Sequence, residues 1–109
     1  MGGRSHVTLY SELLGFLESR GRSLSEYDSA ERGLSLGDAG AFLVLLSSSE
    51  VPILGMDVWR AAKGRLTIDG LESWYSTTNQ SIRSNHQDAL QYLTCLKVSA
   101  GDVLTVQFG

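Results

Sequence analysis

The chain has 109 residues, of which 42% are hydrophobic and 19% are charged, and its net charge is −3 at neutral pH. This length and composition fit a single domain over residues 1–109 and exclude a disordered chain. The nine Lys and Arg residues are scattered along the sequence, whereas phosphate binding needs clustered cations. Nucleic acid is therefore not the expected partner, and a basic protein stays open as one.

The cysteine content and the length of the apolar runs indicate the cellular compartment in which the protein is expected. Cys95 is the single cysteine, which excludes an intrachain disulfide and a thiolate metal cluster. The N-terminus lacks the apolar stretch of a signal peptide. The longest apolar run, residues 41–46, is too short to cross a bilayer. A reducing, cytoplasmic location without a membrane partner is the expectation.

Three segments have the periodicity of helices. The first, Val7–Arg20, lies between Ser5 as N-cap and Gly21 as the C-terminal glycine. The second, Asp38–Ser49 with its first residue as N-cap, is apolar on nearly every side and should be buried. The third begins at Thr78 or Asn79 and ends near Lys97. The apolar stripes are Tyr10, Leu13, Leu14 and Leu17 in the first helix, and Ile82, His86, Ala89, Leu90, Leu93 and Leu96 in the third.

Alternating apolar and polar residues predict strands between the second and third helices and after the third. Ile53–Arg60 is the first strand, and Ala61–Gly64 is a hairpin turn in which the glycine supplies a positive φ. Asp69-Gly70 is a second turn signal, which would make Leu71–Tyr75 a separate short strand. The core-facing residues are expected to be Leu54, Met56, Val58, Leu66 and Ile68, with Leu104, Val106 and Phe108 in the last strand.

This order of elements indicates an α+β fold. A strand that follows a crossover helix usually returns to the sheet already built. We therefore expect a small, three- to four-stranded, mostly antiparallel sheet, with about three helices packed mainly on one face. The polar segment 22–37 is expected to be a loop with a helical turn.

The sequence offers no set of residues that would form a catalytic or metal site. His86 lies on an apolar stripe, where a hydrogen-bonded core histidine is more common than a catalyst, and His6 lies near the terminus. Cys95, beside that stripe, is expected to be a small core residue. Asp57 and Asp69 could form a carboxylate pair if they share a sheet face, but polar surface residues are the simpler interpretation. We expect no enzyme activity, no metal and no cofactor.

The strand aromatics are the main functional signal. Trp59 should lie on the face opposite the apolar stripe, and Trp74 and Tyr75 follow the second turn. Trp and Tyr are enriched in binding hot spots, but a tryptophan on a sheet can also be covered by a helix or loop. Core and interface are both open for the two tryptophans. The predicted partner-binding residues are Asp57, Trp59, Asp69, Glu72, Trp74 and Tyr75.

One linked set of residues resembles a known family. The run Val-Pro-Ile-Leu-Gly-Met-Asp-Val-Trp at residues 51–59, then a hairpin, then Ser-Trp-Tyr at 73–75, resembles the immunity protein 40 family of bacterial polymorphic toxin systems. The resemblance covers Leu34 to Phe108. Met56, Trp59 and Ser73 depart from the family pattern, which has Gly, Tyr and Asn at these places.

The resemblance implies a cytoplasmic protein that binds a cognate toxin domain in a stoichiometric complex and blocks it without catalysis. The alternative is a non-catalytic adaptor or regulatory module with a constitutive protein partner. The gene immediately upstream separates the two. A long secreted reading frame with a variable C-terminal domain favours immunity, whereas an operon of metabolic genes favours the adaptor.

Overall fold

The computed structural model describes residues 6–109 and has an α+β architecture. Strands β3, β4 and β5 form an antiparallel sheet of order β4-β3-β5, and β1 and β2 form a separate two-stranded ladder. The predicted fold class is confirmed, while the predicted loop contains two short strands. In chain order the elements are α1 (His6–Arg20), β1 (Arg22–Ser23), a 3-10 turn (Ser25–Tyr27), β2 (Arg32–Gly33), α2 (Leu36–Ser48), β3 (Ile53–Ala62), β4 (Arg65–Tyr75), α3 (Ile82–Cys95) and β5 (Val103–Phe108).

Helix α1 buries fewer residues of its apolar stripe than the sequence predicts. The predicted cap, Ser5, lies outside the described residues. Leu13 is buried, and the Phe16 ring stacks on Phe42 of α2 at 5.2 Å between centroids. Tyr10 and Leu14 are 56% and 45% exposed, so the prediction of a core role for them was wrong. A helix that touches mainly one neighbouring helix buries only the residues along that contact.

Gly21 ends α1, as predicted, but for a different physical reason. The φ angle of Gly21 is not positive, so the left-handed conformation typical of such a glycine is absent here. Instead, a Cβ at this position would lie 2.5 Å from the Leu17 carbonyl oxygen and 2.6 Å from the Arg32 Cβ. The glycine therefore permits the close approach of β2 to the end of the helix.

Helix α2 begins earlier than predicted because Ser35, rather than Asp38, is its N-cap. The Ser35 Oγ accepts a hydrogen bond from the Asp38 N–H at 3.2 Å. Asp38 then lies in the first turn, where a carboxylate interacts favourably with the helix dipole. The helix is also less buried than predicted: Phe42, Leu43 and Leu46 are in the core, but Val44 is 66% exposed.

The β3–β4 hairpin reverses at Gly64, as predicted, but Ala61 and Ala62 are paired residues of β3 and not part of the turn. Lys63 and Gly64 have φ values of 54° and 76°, which is typical of a two-residue hairpin turn. The expected second turn at Asp69-Gly70 was wrong, since the chain does not reverse there. The Asp69 Oδ1 accepts the Leu71 N–H at 3.2 Å, and this local turn produces a bulge inside β4.

The bulge changes the register of the sheet. Asp69 lies opposite Val58, but the next paired residue of β4 is Trp74, opposite Met56. Residues 70–73 therefore all face a single position of β3, Asp57. Leu71–Tyr75 is the continuation of β4 and not a third strand.

Helix α3 is capped by Ser81, which accepts the Ser84 N–H at 3.1 Å, and so begins after the predicted Thr78 or Asn79. Its buried line includes Asn85, whose carboxamide accepts the Ile53 N–H at 2.8 Å and donates to the Ile53 C=O at 2.7 Å. These bonds satisfy a buried main-chain pair at the start of β3. Leu90, predicted to be in the stripe, is 52% exposed.

The sheet separates two apolar clusters. The main core lies under the helices, and a smaller cluster of Leu24, Trp59, Leu66 and Val103 lies on the other side with Tyr27 packed against it. The prediction was therefore wrong for three residues. Leu66 and Ile68 pair opposite Ala61 and Trp59, away from the main core, and Leu54 is an extra residue between two ladder pairs. The main core contains Leu13, Leu34, Ala39, Phe42, Leu43, Leu46, Ile53, Met56, Val58, Ala89, Leu93, Leu104 and Val106.

Candidate functional site

The β3–β4–β5 sheet has two chemically different faces. The helix face, which α2 and α3 cover, consists of Met56, Val58, Trp74, Leu104 and Val106. The distal face, on the opposite side, consists of the alternate residues Gly55, Asp57 and Trp59 of β3, Tyr75 of β4, and Thr105 and Gln107 of β5. The segment from β1 to β2 covers one end of the distal face, through Leu24 and Tyr27.

Trp59 lies on the distal face, as predicted, but it is only 6% exposed. Its Nε1 donates a hydrogen bond to the Thr105 Oγ1 at 3.2 Å, and its ring lies 5.9 Å from the Tyr27 ring. Of the two interpretations open from the sequence, the core one describes this side chain. Trp59 holds the segment from β1 to β2 against the sheet.

Asp57 is the centre of a hydrogen-bond network at the open end of the distal face. Its Oδ1 accepts from the Ser73 Oγ at 2.7 Å and from the Tyr75 hydroxyl at 3.0 Å. The Gln107 Nε2 lies 3.5 Å from Asp57 Oδ2 and donates to Glu31 Oε1 at 2.9 Å. Strands β3, β4 and β5 are thereby joined through side chains, and two carboxylates are held close to one carboxamide.

Gly55 makes this network possible. A Cβ at Gly55 would lie 2.7 Å from the Tyr75 Cδ1 and 3.0 Å from the Gln107 Oε1. The Tyr75 ring therefore crosses β3 at a position where no other residue type leaves room. From there its hydroxyl reaches Asp57, two residues along the strand.

Asp69 does not share a face with Asp57, so that prediction was wrong. The regular pairing that follows the Lys63-Gly64 turn places Asp69 opposite Val58, where it forms an ion pair with Arg60 Nε at 3.1 Å. Arg60 also bonds Asp102 Oδ2 at 3.1 Å and the Lys97 carbonyl at 2.8 Å. The hydrogen bonds that Arg60 donates to Asp69 and to Asp102 raise the pKa of Arg60. The two aspartates are thus on opposite faces and do not form the carboxylate pair that the sequence left as the less simple interpretation.

Asp102 completes this ion-pair network from the loop before β5. Its side chain is 2% exposed and accepts the Ala61 N–H at 2.8 Å and the Ser99 N–H at 2.9 Å. These backbone donors, together with Arg60, hold the pKa of the Asp102 carboxyl below its usual range. The network links β3 to the α3–β5 loop and thereby stabilises the fold.

Trp74 and Tyr75 are neighbours in sequence but lie on opposite faces. Trp74 is half-buried on the helix face, stacked on Tyr92 of α3 with centroids 6.3 Å apart. The Tyr92 hydroxyl donates to the Glu72 carbonyl, and burial raises the pKa of Tyr92 to about 12. Tyr75, on the distal face, is 63% exposed.

Strand β4 carries Leu71, the most exposed large apolar residue among the described side chains. Leu71, at the bulge, is 96% exposed, and Ile68 is 47% exposed. Glu72 is also exposed. We call Ile68, Leu71, Glu72 and Tyr75 the β4 patch. Sequence reasoning missed Leu71 and Ile68, although a leucine directly after an Asp-Gly turn is a signal for an exposed apolar residue.

The residues considered for catalysis lie apart from this surface. His86 Nε2 is 2.7 Å from the Val51 carbonyl oxygen, consistent with a hydrogen-bonded histidine. Cys95 is exposed at the end of α3, so its predicted core role was wrong. His6 falls among residues whose side chains are not described. Within residues 10–109, no three His, Cys, Asp or Glu side chains come together in a way that could hold a metal ion.

Comparison with protein families gives a match to the model of immunity protein 40 over residues 23–106, which is more than half of the chain. The chain belongs to the immunity protein 40 family. The suspected resemblance is thereby confirmed. No curated protein and no solved structure gives a match.

The match to the immunity protein 40 family includes every strand residue of the distal face except Gln107, and it includes the whole β4 patch. Helix α1, which ends at Arg20, lies outside it. Among the helices of the described chain, none combines the length and the apolarity that a membrane span needs.

Proposed function

We propose that this immunity protein 40 family member binds a cognate bacterial toxin domain and neutralises it in a stoichiometric, non-catalytic complex in the cytoplasm. The family membership supports a toxin as the partner. The observation that carries the proposal is the β4 patch, where Leu71 and Tyr75 expose apolar and aromatic surface on an edge strand. Exposed apolar residues grouped on one element are typical of protein interaction sites.

The proposed contact surface is the β4 patch with the open end of the distal face. Of the six predicted binding residues, Glu72, Tyr75 and Asp57 would contact the toxin directly. Trp59, Trp74 and Asp69 would act indirectly, because their packing and ion pairing fix the strands. Leu71 and Tyr75 would supply desolvated contact area, and the carboxylates would favour a basic toxin surface.

Co-expression tests the proposed function. The chain is produced together with the toxic C-terminal domain encoded beside its gene, and growth, complex formation and stoichiometry are measured. Neutralisation by binding predicts restored growth and co-purification of the two proteins in equal amounts. Growth restored by far less immunity protein than toxin, or without a complex, would contradict it and indicate enzymatic detoxification.

A matched pair of variants locates the surface. Leu71→Asp should abolish co-purification and leave the melting temperature almost unchanged, because Leu71 is nearly fully exposed. Val44→Asp is the control, since Val44 is an exposed apolar residue of α2, away from the β4 patch. Equal loss of binding in both variants would contradict the assignment of the surface.

A further inference from the structure

A groove runs between α1 and strand β5, on the other edge of the sheet from the β4 patch. Its volume is about 550 Å³. Tyr10 and Leu14 of α1 form one wall, and residues 30–32 form the other. The floor is β5 at Val106, Gln107 and Phe108. Because Tyr10 and Leu14 are about half exposed, the described chain leaves this apolar wall uncovered.

The floor of the groove is a partly open strand edge. Leu34 and Leu104 exchange both main-chain hydrogen bonds, each at 2.7 Å, so the main-chain groups of Leu104 point away from β3. Main-chain groups alternate in direction along a strand, and those of Val106 and Phe108 therefore point the same way as those of Leu104. The described main chain, residues 6–109, and the side chains of residues 10–109 provide no hydrogen-bond partner for the outward groups of Val106.

The chain pairs with this edge at Leu34 only, and the preceding residues of β2 pair with β1. Continuing the Leu34–Leu104 pairing would bring Arg32 opposite Val106, but Arg32 pairs with Ser23 of β1 instead. Because β2 does not pair with β5, the groove lies open beside the edge of β5, where the main-chain groups of Val106 point away from β3. An extended polypeptide is the ligand that matches such an edge, since its own N–H and C=O groups alternate with the same period.

The charges of the groove favour a basic occupant. Glu18 of α1 and Glu31 lie on opposite walls, and Arg32 is the single cation among the lining residues. Glu31 is connected through Gln107 Nε2 to Asp57 of the distal face. The carboxylates of Asp57 and Glu31, joined by Gln107, therefore connect the distal face with the groove.

We propose that the groove between α1 and β5 takes up an extended, lysine- or arginine-containing segment of the protein partner, which adds a short strand to the edge of β5 at Val106 and Phe108. Apolar side chains of the segment lie against Tyr10 and Leu14, and its cationic side chains lie near Glu18 and Glu31. The identity of the partner as a toxin rests on the proposed function, whereas the groove itself does not.

A defined peptide tests the groove without the toxin. Acetyl-Val-Lys-Val-Lys-Val-amide is titrated into the ¹⁵N-labelled protein, and amide chemical shifts are followed. We expect saturable changes at Val106 and Phe108, and none with acetyl-Val-Glu-Val-Glu-Val-amide. Absence of saturable changes at these two amides would overturn the proposal, and equal binding of both peptides would overturn its charge assignment.

Two variants give the matched comparison. Leu14→Trp fills the groove from its exposed wall and should weaken binding of the lysine peptide by about tenfold. Val44→Trp places the same side chain on exposed α2 surface and should bind like the wild type. Equal affinity of Leu14→Trp and wild type would overturn the proposal. Glu31→Lys serves as a second variant, which should lower the affinity without changing the groove volume greatly.

The toxin domain encoded beside the gene separates the two proposals. Toxin binding with unchanged Val106 and Phe108 amides would overturn the groove proposal and leave the proposed function standing. Peptide binding in the groove without toxin binding would overturn the proposed function and leave a strand-binding groove for another basic protein. Toxin binding that protects both amides from hydrogen exchange supports both proposals.

Discussion

The two faces of the β3–β4–β5 sheet differ although the same strands supply both. On the helix face, Met56 and Val58 are fully buried beneath α2 and α3. On the distal face, the segment from β1 to β2 covers Trp59 but leaves Tyr75 63% exposed. Because alternate residues of a strand point to opposite faces, stability and recognition can be assigned to neighbouring positions of one strand.

The largest effect is expected in the core beneath the helix face. Phe42 is fully buried and contacts the rings of Phe16 and Phe108, with centroids 5.2 and 5.3 Å away. Phe42→Ala should lower the free energy of unfolding by about 3–5 kcal/mol, measured by guanidinium denaturation. Val44→Ala on the exposed side of the same helix is the control and should change little. A loss below about 1 kcal/mol for Phe42→Ala would contradict the assigned core.

The ion-pair network of Asp69, Arg60 and Asp102 predicts that stability depends on pH. The Ala61 and Ser99 N–H groups and Arg60 lower the pKa of Asp102, so ionised Asp102 stabilises the fold above the unfolded-chain pKa of about 4. This stability is lost as the pH falls through the lower folded-state pKa. Asp102→Asn should cost about 2 kcal/mol at neutral pH.

Thermal melts from neutral pH to below pH 4 check this expectation. Wild type should lose the Asp102 contribution on acidification, and the difference between wild type and Asp102→Asn should shrink as it does so. Asp28→Asn is the matched control for the same substitution at an exposed aspartate. A constant difference between Asp102→Asn and wild type across this range would contradict the assignment.

The sequence predicted the fold class and the hairpin because local signals there agree with the tertiary structure. Gly64 carries the positive φ that its turn requires, and the period of α3 placed Ala89 and Leu93 in the core. The Asp69-Gly70 signal was misread, since an aspartate that bonds a main-chain N–H two residues on can produce a bulge as readily as a reversal. Periodicity does not distinguish these outcomes.

The candidate site was predicted only in part, because the periodicity of the sequence does not show the register of the strands. Asp57 and Tyr75 were named from sequence and come together, at 3.0 Å. Asp69 was expected on the face of Asp57, but the pairing that follows the hairpin turn puts it opposite Val58. The bulge after Asp69 changes the register and puts Trp74, whose face the sequence left open, opposite Met56. The burial of Trp59 by Leu24 and Tyr27 depends on a segment whose polar sequence gives little sign of its position. The resemblance named the family but contains no information on these contacts.

A smaller effect on stability is expected at Gly55, where the Tyr75 ring can lie against β3 because Gly55 has no Cβ. Gly55→Ala places a methyl group 2.7 Å from the Tyr75 Cδ1, so the ring must move and its bond to Asp57 weakens. We expect a loss of about 1–2 kcal/mol of stability and weaker toxin binding. Gly70→Ala is the control, because a Cβ there meets no atom within 4 Å. Equal melting temperatures for the two variants would contradict the close approach.

The smallest effect concerns the rate of association. Glu72 is an exposed carboxylate of the β4 patch, and Glu72→Lys should slow association with a basic toxin while dissociation changes little. The difference should shrink as added salt shortens the Debye length below about 8 Å. Surface plasmon resonance at low and high salt measures both rates. An association rate equal to that of the wild type at low salt would exclude Glu72 from the approach surface.

Adjacent residues of β4 test the central claim that the distal face and the β4 patch bind the toxin while the helix face holds the fold. Isothermal titration of the toxin domain and a thermal melt are measured for Tyr75→Ala and Trp74→Ala. Tyr75→Ala should weaken binding by about 2 kcal/mol with the melt nearly unchanged. Trp74→Ala should lower stability by about 2–3 kcal/mol and, while folded, bind more tightly than Tyr75→Ala. Wild-type affinity in Tyr75→Ala, together with an intact fold in Trp74→Ala, would contradict the account.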